Sequence, residues 1–461
     1  MSLLIKNGSV VTAEKLFRAD VFCEKEQITR IGQELQAPPG ATVVDAVGKY
    51  VFPGFIDPHV HVYLPLKTTC SRDTYETASR AALVGGTTCF IDFCTPERGQ
   101  DPRAALELWD SKSEGKSFCD YSYHLAVTWF DARAAAFIRE VILRGITSFK
   151  IYLAYKDSVN IDDDELAGVL KLARENGILT MGHCEDADAV DALQKKLVAD
   201  GRKGPQWHYV SRPPDIEARG TRRFLEAAEK AGAPAYVVHL SCEEALREAV
   251  AARERGVKVW IETLISFLLL DKSFAELPDF EGAKYVVSPP LREKKNQDVL
   301  WTALRNGVVN VVSSDHAPFD FSGQKTLGEN DFTKIPNGMP TLEDRINLLF
   351  TYGVKEKRID LQKLVEVAST TPAKLFGLYP RKGEVRVGSD ADLVIYDPDY
   401  VGTISRRTHH MNVDYNPFEG RIIRGRPHTV TVRGRIAVRE GRFVGSAGWG
   451  RFVPRGPFQA S

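Results

Sequence analysis

Eight short apolar, β-branched runs alternate with helical patterns between residues 54 and 314, and this rhythm constrains the fold more than any other feature. The runs are Gly54 to His59, Thr87 to Phe93, Tyr121 to Val127, Ser148 to Ala154, Leu179 to Cys184, Ala235 to Leu240, Lys258 to Thr263 and Val308 to Ser314. Helical patterns between them include Ala78 to Val84, Asp164 to Asn176, Arg219 to Ala231 and Glu243 to Arg255. Near-continuous apolar strands separated by helices belong to parallel sheets covered on both faces. Eight such units is the count of an α/β protein built as a (β/α)8, TIM-like barrel. A doubly wound open sheet would carry a Gly-rich phosphate turn after its first strand. Here that place holds His59-Val-His61.

Outside this core the texture changes. Leu3 to Ile31 alternates apolar and polar residues, with Asn7-Gly8 as a turn signal, and the same alternation returns after Gly383 in Ala391-Asp-Leu-Val-Ile-Tyr and Thr429-Val-Thr-Val-Arg-Gly-Arg. Ends of one texture are expected to share one small β-sandwich. The expected organisation is sandwich residues 1–52 and 381–445, barrel residues 53–380, and a tail at 446–461. In the tail, aromatic and Arg residues interleave in Trp449-Gly-Arg-Phe-Val-Pro-Arg-Gly-Pro-Phe, which suits an interface with a neighbouring chain.

Charge narrows the function classes. Lys and Arg total 61 and Asp and Glu total 61, which favours neither nucleic acid nor an acidic membrane surface as partner. No window approaches the roughly 20 apolar residues of a membrane span. The seven cysteines are odd in number and lack CxxC spacing, which points to reduced thiols and a cytoplasmic setting.

Chemistry-bearing residues recur at the ends of the apolar runs. His59 and His61 lie on one strand face, Lys150 follows Thr147-Ser-Phe, His183 ends Leu179-Thr-Met-Gly, His239 follows Tyr236-Val-Val, and Asp315 follows Val311-Val-Ser-Ser. Barrel chemistry gathers at the C-terminal strand ends, and imidazole with carboxylate is a zinc-type donor set. Lys150 is the odd member, since an ammonium cannot bind a metal and its charge would be costly beside Phe149, Ile151 and Tyr152. Cys184 points away from His183 by strand alternation. His316 reads as structural, and Asp57 as an orienting or turn residue. His124, His208, His409, His410 and His428 read as ordinary polar residues.

These residues, with Gly54-Phe-Ile-Asp-Pro-His-Val-His, Gly85-Gly-Thr-Thr, Ile146-Thr-Ser-Phe-Lys, Ser211-Arg-Pro-Pro, Glu281-Gly-Ala-Lys-Tyr, Ser313-Ser-Asp-His-Ala-Pro-Phe and Ile335-Pro-Asn-Gly, make the chain resemble the D-hydantoinase and dihydropyrimidinase family of cyclic amidohydrolases over essentially its whole length. The resemblance implies two divalent metal ions, zinc. His59, His61 and Asp315 would hold one, His183 and His239 the other, and Lys150, carboxylated on Nζ, would bridge them. It implies Asp315 as proton carrier, Tyr155 as hydrogen-bond donor to the developing oxyanion, and Ser288 and Asn337 as ring-binding positions acting chiefly through the main chain. The implied reaction opens a hydantoin or dihydropyrimidine ring to an N-carbamoyl amino acid in a homo-oligomer, a dimer or tetramer. Allantoinase, or another cyclic ureide hydrolase, is the alternative within the class. A non-catalytic scaffold is the alternative outside it, and the presence of all six ligand positions opposes it. The first loop, Val62-Tyr-Leu-Pro-Leu-Lys67, departs from the family pattern, and Lys67 is expected to favour polar or anionic ring substituents.

Overall fold

The computed structural model describes residues 2–459. Five strands open the chain: β1 (Ser2–Val11), β2 (Leu16–Glu24), β3 (Gln27–Gly32), β4 (Thr42–Asp45) and β5 (Tyr50–Pro53). Eight barrel strands follow, β6 (Phe55–Val60), β7 (Thr87–Cys94), β8 (Asp120–Ala126), β9 (Ser148–Tyr152), β10 (Leu179–His183), β11 (Ala235–Val237), β12 (Val259–Leu264) and β13 (Val311–Ser313). The last four, β14 (Leu393–Thr403), β15 (Ile422–Val432), β16 (Arg435–Arg439) and β17 (Arg442–Phe443), return to the opening strands.

The barrel strands run parallel in chain order, with Ala126, Lys150 and Met181 side by side across three of them. The ring closes between its ends through polar contacts: Ser314 Oγ donates to His59 O at 3.3 Å, and His61 N to His316 O at 2.7 Å. Strands β6 to β10 and β13 are buried at every residue, as a sheet sealed on its inner face by side chains and on its outer face by helices requires. Among those helices are α1 (Tyr75–Val84), α2 (Pro102–Ser113), α3 (Ala132–Leu143), α4 (Asp163–Glu175), α5 (Ala187–Ala199), the short α6 (Gln206–Val210), α7 (Pro214–Ala231) and α8 (Glu243–Glu254). Helix α4 starts at a reciprocal cap between Asp162 and Glu165, and α7 starts with Pro214 and stops at Gly232 in the left-handed region. On α7, Gly220 lets the helix lie on the chain just after β10, because a Cβ there would stand 2.6 Å from Cys184 C.

The eight expected runs all become barrel strands. Four are shorter than their apolar patterns, β9, β10, β11 and β13. Strand β11 stops at Val237 and β13 at Ser313, because His239 (φ 37°) and Asp315 (φ 49°) take the left-handed region and leave the sheet.

The terminal strands join in one nine-stranded sheet, ordered β17-β16-β15-β14-β5-β1-β2-β3 with β4 beside β1. The sheet has its own core, including Leu3, Val10, Val21, Ile28, Val51, Leu393 and Ile395. Asn7-Gly8 is not the turn the sequence suggests. It lies inside β1 as a bulge, where the register with β2 shifts, Asn7 adopts φ 63°, and Asn7 N donates to Asp20 Oδ1 at 2.7 Å. The tail packs on its own chain. Val453 N donates to Tyr121 O, Arg455 N to Gly145 O and Gly456 N to Gly377 O, so the segment runs beneath the barrel. Phe452 packs on Tyr123 and Phe458 on Trp260.

Candidate functional site

The period of two along β6 and the end positions of β9, β10, β11 and β13 bring the predicted side chains to one mouth of the barrel. His59 Nε2 and His61 Nε2 lie 3.1 and 3.3 Å from the same oxygen, Asp315 Oδ1. The His59 and His239 rings are 5.4 Å apart, and those of His183 and His239 are 4.5 Å apart. All of these residues are buried. Lys150, third of five residues in β9, is 1% exposed and its Nζ stands 5.0 Å from the Phe93 ring and 5.2 Å from that of Tyr152. Among the described residues no carboxylate pairs with it.

The electrostatics of these buried groups pull in opposite directions. Burial pulls the His59 pKa down, but Glu262 and Asp315 outweigh it and lift it to about 9. Burial holds His61 down at about 4 against the opposing pull of Asp315. Two imidazoles facing one carboxylate oxygen thus accommodate a single proton. Burial lowers Lys150 to about 8, with Asp315 and Glu262 resisting, so an appreciable fraction of the amine is neutral near pH 7. His59 Nε2, His61 Nδ1 and His239 Nδ1 are buried without a hydrogen-bond partner. Buried nitrogens left open in this way are costly, and a donor set of this composition fits divalent metal ions.

A second ring of contacts fixes the imidazoles. Glu262, on β12, accepts from His59 Nδ1 at 2.6 Å, from His239 N at 2.9 Å and from the Tyr236 hydroxyl at 2.9 Å. Glu185 pairs with His183 Nε2 and with Arg212 Nη1, both at 2.6 Å. Burial pushes the Glu185 carboxyl up, but Arg212 and His183 hold it down at about 2. Asp57 accepts from His59 N and Ser314 N at 3.3 Å. The Glu262 and Glu185 carboxylates fix which ring nitrogen of His59 and of His183 carries hydrogen, while Asp57 holds the main chain.

Tyr155, just past β9, has φ 63°, a conformation uncommon for a bulky residue and typical of strained functional positions. Its ring lies 5.1 Å from that of His183, and its phenol faces Ser288 and Asn337. Burial raises its pKa, with Arg212 opposing, so the hydroxyl keeps its proton. Asn337 Nδ2 donates to Ser288 Oγ at 3.0 Å. The structure therefore brings together all nine residues singled out from the sequence.

His208 and His124 were misread as ordinary polar residues, and Glu262 was missed. His208, on α6, is buried and linked to Val287 O at 2.9 Å and Ser288 Oγ at 3.1 Å, so it supports the Ser288 wall. Burial, then Arg212, keeps it neutral, with a pKa of about 3. His124 is likewise buried, bound to Pro58 O and Ser148 Oγ beneath the site. Glu262 carried a usable signal, a carboxylate inside an apolar strand pattern, which a folded protein tolerates only when partnered. His316 is structural, its Nε2 on Asp73 at 2.7 Å, and Cys184 belongs to the apolar core. Lys67 is exposed. Asp120, Asp390 and Asp392 form a second acidic cluster, but Lys382 Nζ already fills it at 2.7, 3.0 and 2.5 Å.

Comparison with known proteins agrees with this geometry. Residues 50–437 match the Amidohydrolase family. The D-hydantoinase of Geobacillus stearothermophilus is 48% identical over 100% of this chain and 98% of its own length. The dihydropyrimidinase of Rattus norvegicus is 37% identical over 99% of this chain and 89% of its own. The solved D-hydantoinase (dihydropyrimidinase) from Thermus sp. is 55% identical and superposes with a TM-score of 0.97 over 99% of both chains.

Proposed function

Because this chain belongs to the amidohydrolase family, among the hydantoinases and dihydropyrimidinases, we propose that it hydrolyses the cyclic amide bond of a hydantoin or dihydropyrimidine ring, giving an N-carbamoyl amino acid. The observation that carries this reading is the convergence of open, buried imidazole nitrogens, Asp315 and a Lys150 that pairs with no carboxylate among the described residues, near a tyrosine held in a strained conformation.

His59, His61 and Asp315 would hold one zinc ion and His183 and His239 another, with Lys150 bridging them as a carbamate. Bound zinc supplies a water acidic enough to attack near neutral pH and positive charge against the ring carbonyl. For Lys150, the ammonium first gives up one proton to leave the neutral amine that burial favours; its nitrogen then bonds to the carbon of carbon dioxide as one C–O π bond opens onto oxygen, and loses a second proton, so that a buried cation becomes an anionic carbamate. Glu262 and Glu185 hold the imidazoles so that the nitrogens facing the centre stay free.

Asp315 takes the proton of the attacking water and returns it to the amide nitrogen as the C–N bond breaks. Its place beside both His59 and His61 keeps it ionised, well below the usual carboxylate range despite burial. The Tyr155 hydroxyl donates to the carbonyl oxygen as negative charge builds there. Ser288 and Asn337 orient the ring so that one carbonyl faces this donor.

Turnover across hydantoin, substituted hydantoins, dihydrouracil, allantoin and dihydroorotate tests the assignment, with products identified by mass. Ring-opened N-carbamoyl acids from hydantoins or dihydrouracil are expected. Turnover confined to allantoin or dihydroorotate would overturn the substrate class.

A further inference from the structure

Lys325 is completely buried, and among the described residues no carboxylate pairs with it. Its Nζ instead points at three main-chain carbonyls: Val286 O at 3.0 Å, Pro336 O at 2.6 Å and Gly338 O at 2.7 Å. Burial drives its pKa well down. The three acceptors oppose that, since an ammonium offers one N–H to each and a neutral amine has only two hydrogens. Such an expensive arrangement, a charge desolvated with no countercharge, needs a role.

The carbonyls belong to the two segments that carry the proposed ring-binding residues. Val286 lies two residues before Ser288, and Pro336 and Gly338 flank Asn337. The segments are already joined by Gly338 N donating to Val286 O at 3.0 Å. Gly338 sits at φ 143°, where an added Cβ would stand 2.5 Å from Ala317, so the 336–338 segment lies tightly against Ala317 at this point. The peptide linkage supplies the chemical consequence. The Pro336 carbonyl and the Asn337 N–H are two ends of one peptide group. A cation on that carbonyl oxygen draws electron density from the nitrogen, and the N–H becomes a stronger donor. Among the described residues that N–H finds no protein acceptor, while Asn337 is partly exposed at the site and its side chain reaches Ser288.

We propose that Lys325 is a positioning residue for ring binding: its ammonium clamps the 286–288 and 336–338 segments and polarises the Asn337 peptide, so that the Asn337 N–H donates to a carbonyl of the cyclic amide. The proposal rests on the ring-hydrolase reading and adds to it a buried group that never touches the substrate. It differs from a purely structural role in what it predicts, a loss of ring affinity in protein that is folded and metal-loaded.

The test compares metal-loaded wild type, Lys325→Met and Lys325→Ala on the best ring substrate, with thermal unfolding and metal content measured in parallel. Lys325→Met is expected to raise KM about tenfold or more while kcat changes by less than about threefold, with metal content unchanged. In Lys325→Ala, propylammonium, the fragment removed, is expected to restore KM in a saturable way, whereas 1-propanol is not. A folded Lys325→Met with KM within about twofold of wild type overturns the proposal, as does equal rescue by 1-propanol. If Lys325→Met does not fold, Lys325→Ala purified in propylammonium decides: a KM that climbs as the amine is withdrawn supports the clamp, and a flat KM overturns it. Wild type without turnover of any cyclic amide would remove the ring-hydrolase reading itself, whereas an active wild type with unaltered variants removes only the clamp.

Discussion

Two buried lysines in this molecule have opposite surroundings. Lys382, where the barrel meets the terminal sheet, sits among Asp120, Asp390 and Asp392 and is held well above its usual pKa, the three carboxylates outweighing burial. Lys150, at the barrel mouth, pairs with no carboxylate among the described residues, and burial lowers it to about 8 against Asp315 and Glu262. The same contrast runs through their neighbourhoods. At the junction Asp120 also meets Arg433 and the Arg451 N–H of the tail, so the charge there is locked to structure. At the mouth, ring nitrogens stay open and backbones take the left-handed region. A protein that saturates one set of buried charges and leaves another open has separated stability from chemistry in space.

Exchanging the two lysines for neutral residues tests this division most severely. Lys150→Ala should retain its fold and lose activity by about 10³-fold or more, since metals, nucleophile and proton carrier act as a unit. A short carboxylic acid with zinc should restore part of it, whereas Lys150→Arg should stay inactive, because guanidinium remains cationic. An arginine variant of near wild-type rate would break the comparison. Exhaustive chelation should abolish turnover in the same way, and elemental analysis of reloaded protein should find about two ions per chain.

Lys382→Met should show the mirror image. Removing one partner of a buried ion cluster costs about 3–5 kcal/mol, read as a lower Tm, while kcat per folded, metal-loaded molecule stays at the wild-type value. Loss of kcat without loss of stability would erase the boundary between the two regions.

A smaller effect is expected at the substrate wall. Tyr155→Phe should lower kcat by roughly 10²-fold with metal content unchanged; a change confined to KM would assign the phenol to binding alone.

The smallest effect sharpens the junction side through pH. In wild type, burial pushes the Asp120 carboxyl up but Lys382 and Arg433 hold it below its usual range. Its contribution to stability is present above the unfolded pKa of about 3.9 and is lost as pH falls through the lower folded value. In Lys382→Met the carboxylates lose their cation and their folded pKa values rise, so that variant gains as they take up protons. The Tm gap between the two proteins should therefore narrow as pH drops towards about 4. A gap independent of pH from 7 to 4 would mean that the lysine acts through packing rather than charge.

Much of this was legible in the sequence because it follows from local periodicity. Continuous apolar runs gave eight barrel strands, and alternation at both ends gave strands that meet in one sheet. His59 and His61 share a face by the period of a strand, whatever surrounds them. Local pattern could not show where a strand yields to a strained conformation, so the early ends of β11 and β13 and the left-handed Tyr155 were invisible. Asn7-Gly8 has turn chemistry, and only its pairing partner β2 made it a bulge. That the tail's Phe452 and Phe458 pack on the floor of its own barrel was likewise not legible in its pattern.

The sequence by itself thus determined the fold class and which chemistry-bearing residues stand at the strand ends, since both depend on residue type and spacing along a regular backbone. Tertiary structure alone decided which charges are answered. Lys150, Lys325 and Lys382 are the same residue type, and each sits close to apolar residues in sequence. Among the described residues one pairs with no carboxylate, one sits among three carbonyls and one among three carboxylates, set by segments as distant as residues 120 and 382 or 286 and 336. Electrostatic energy depends on separation through space and on burial, and neither quantity is written in the order of the chain.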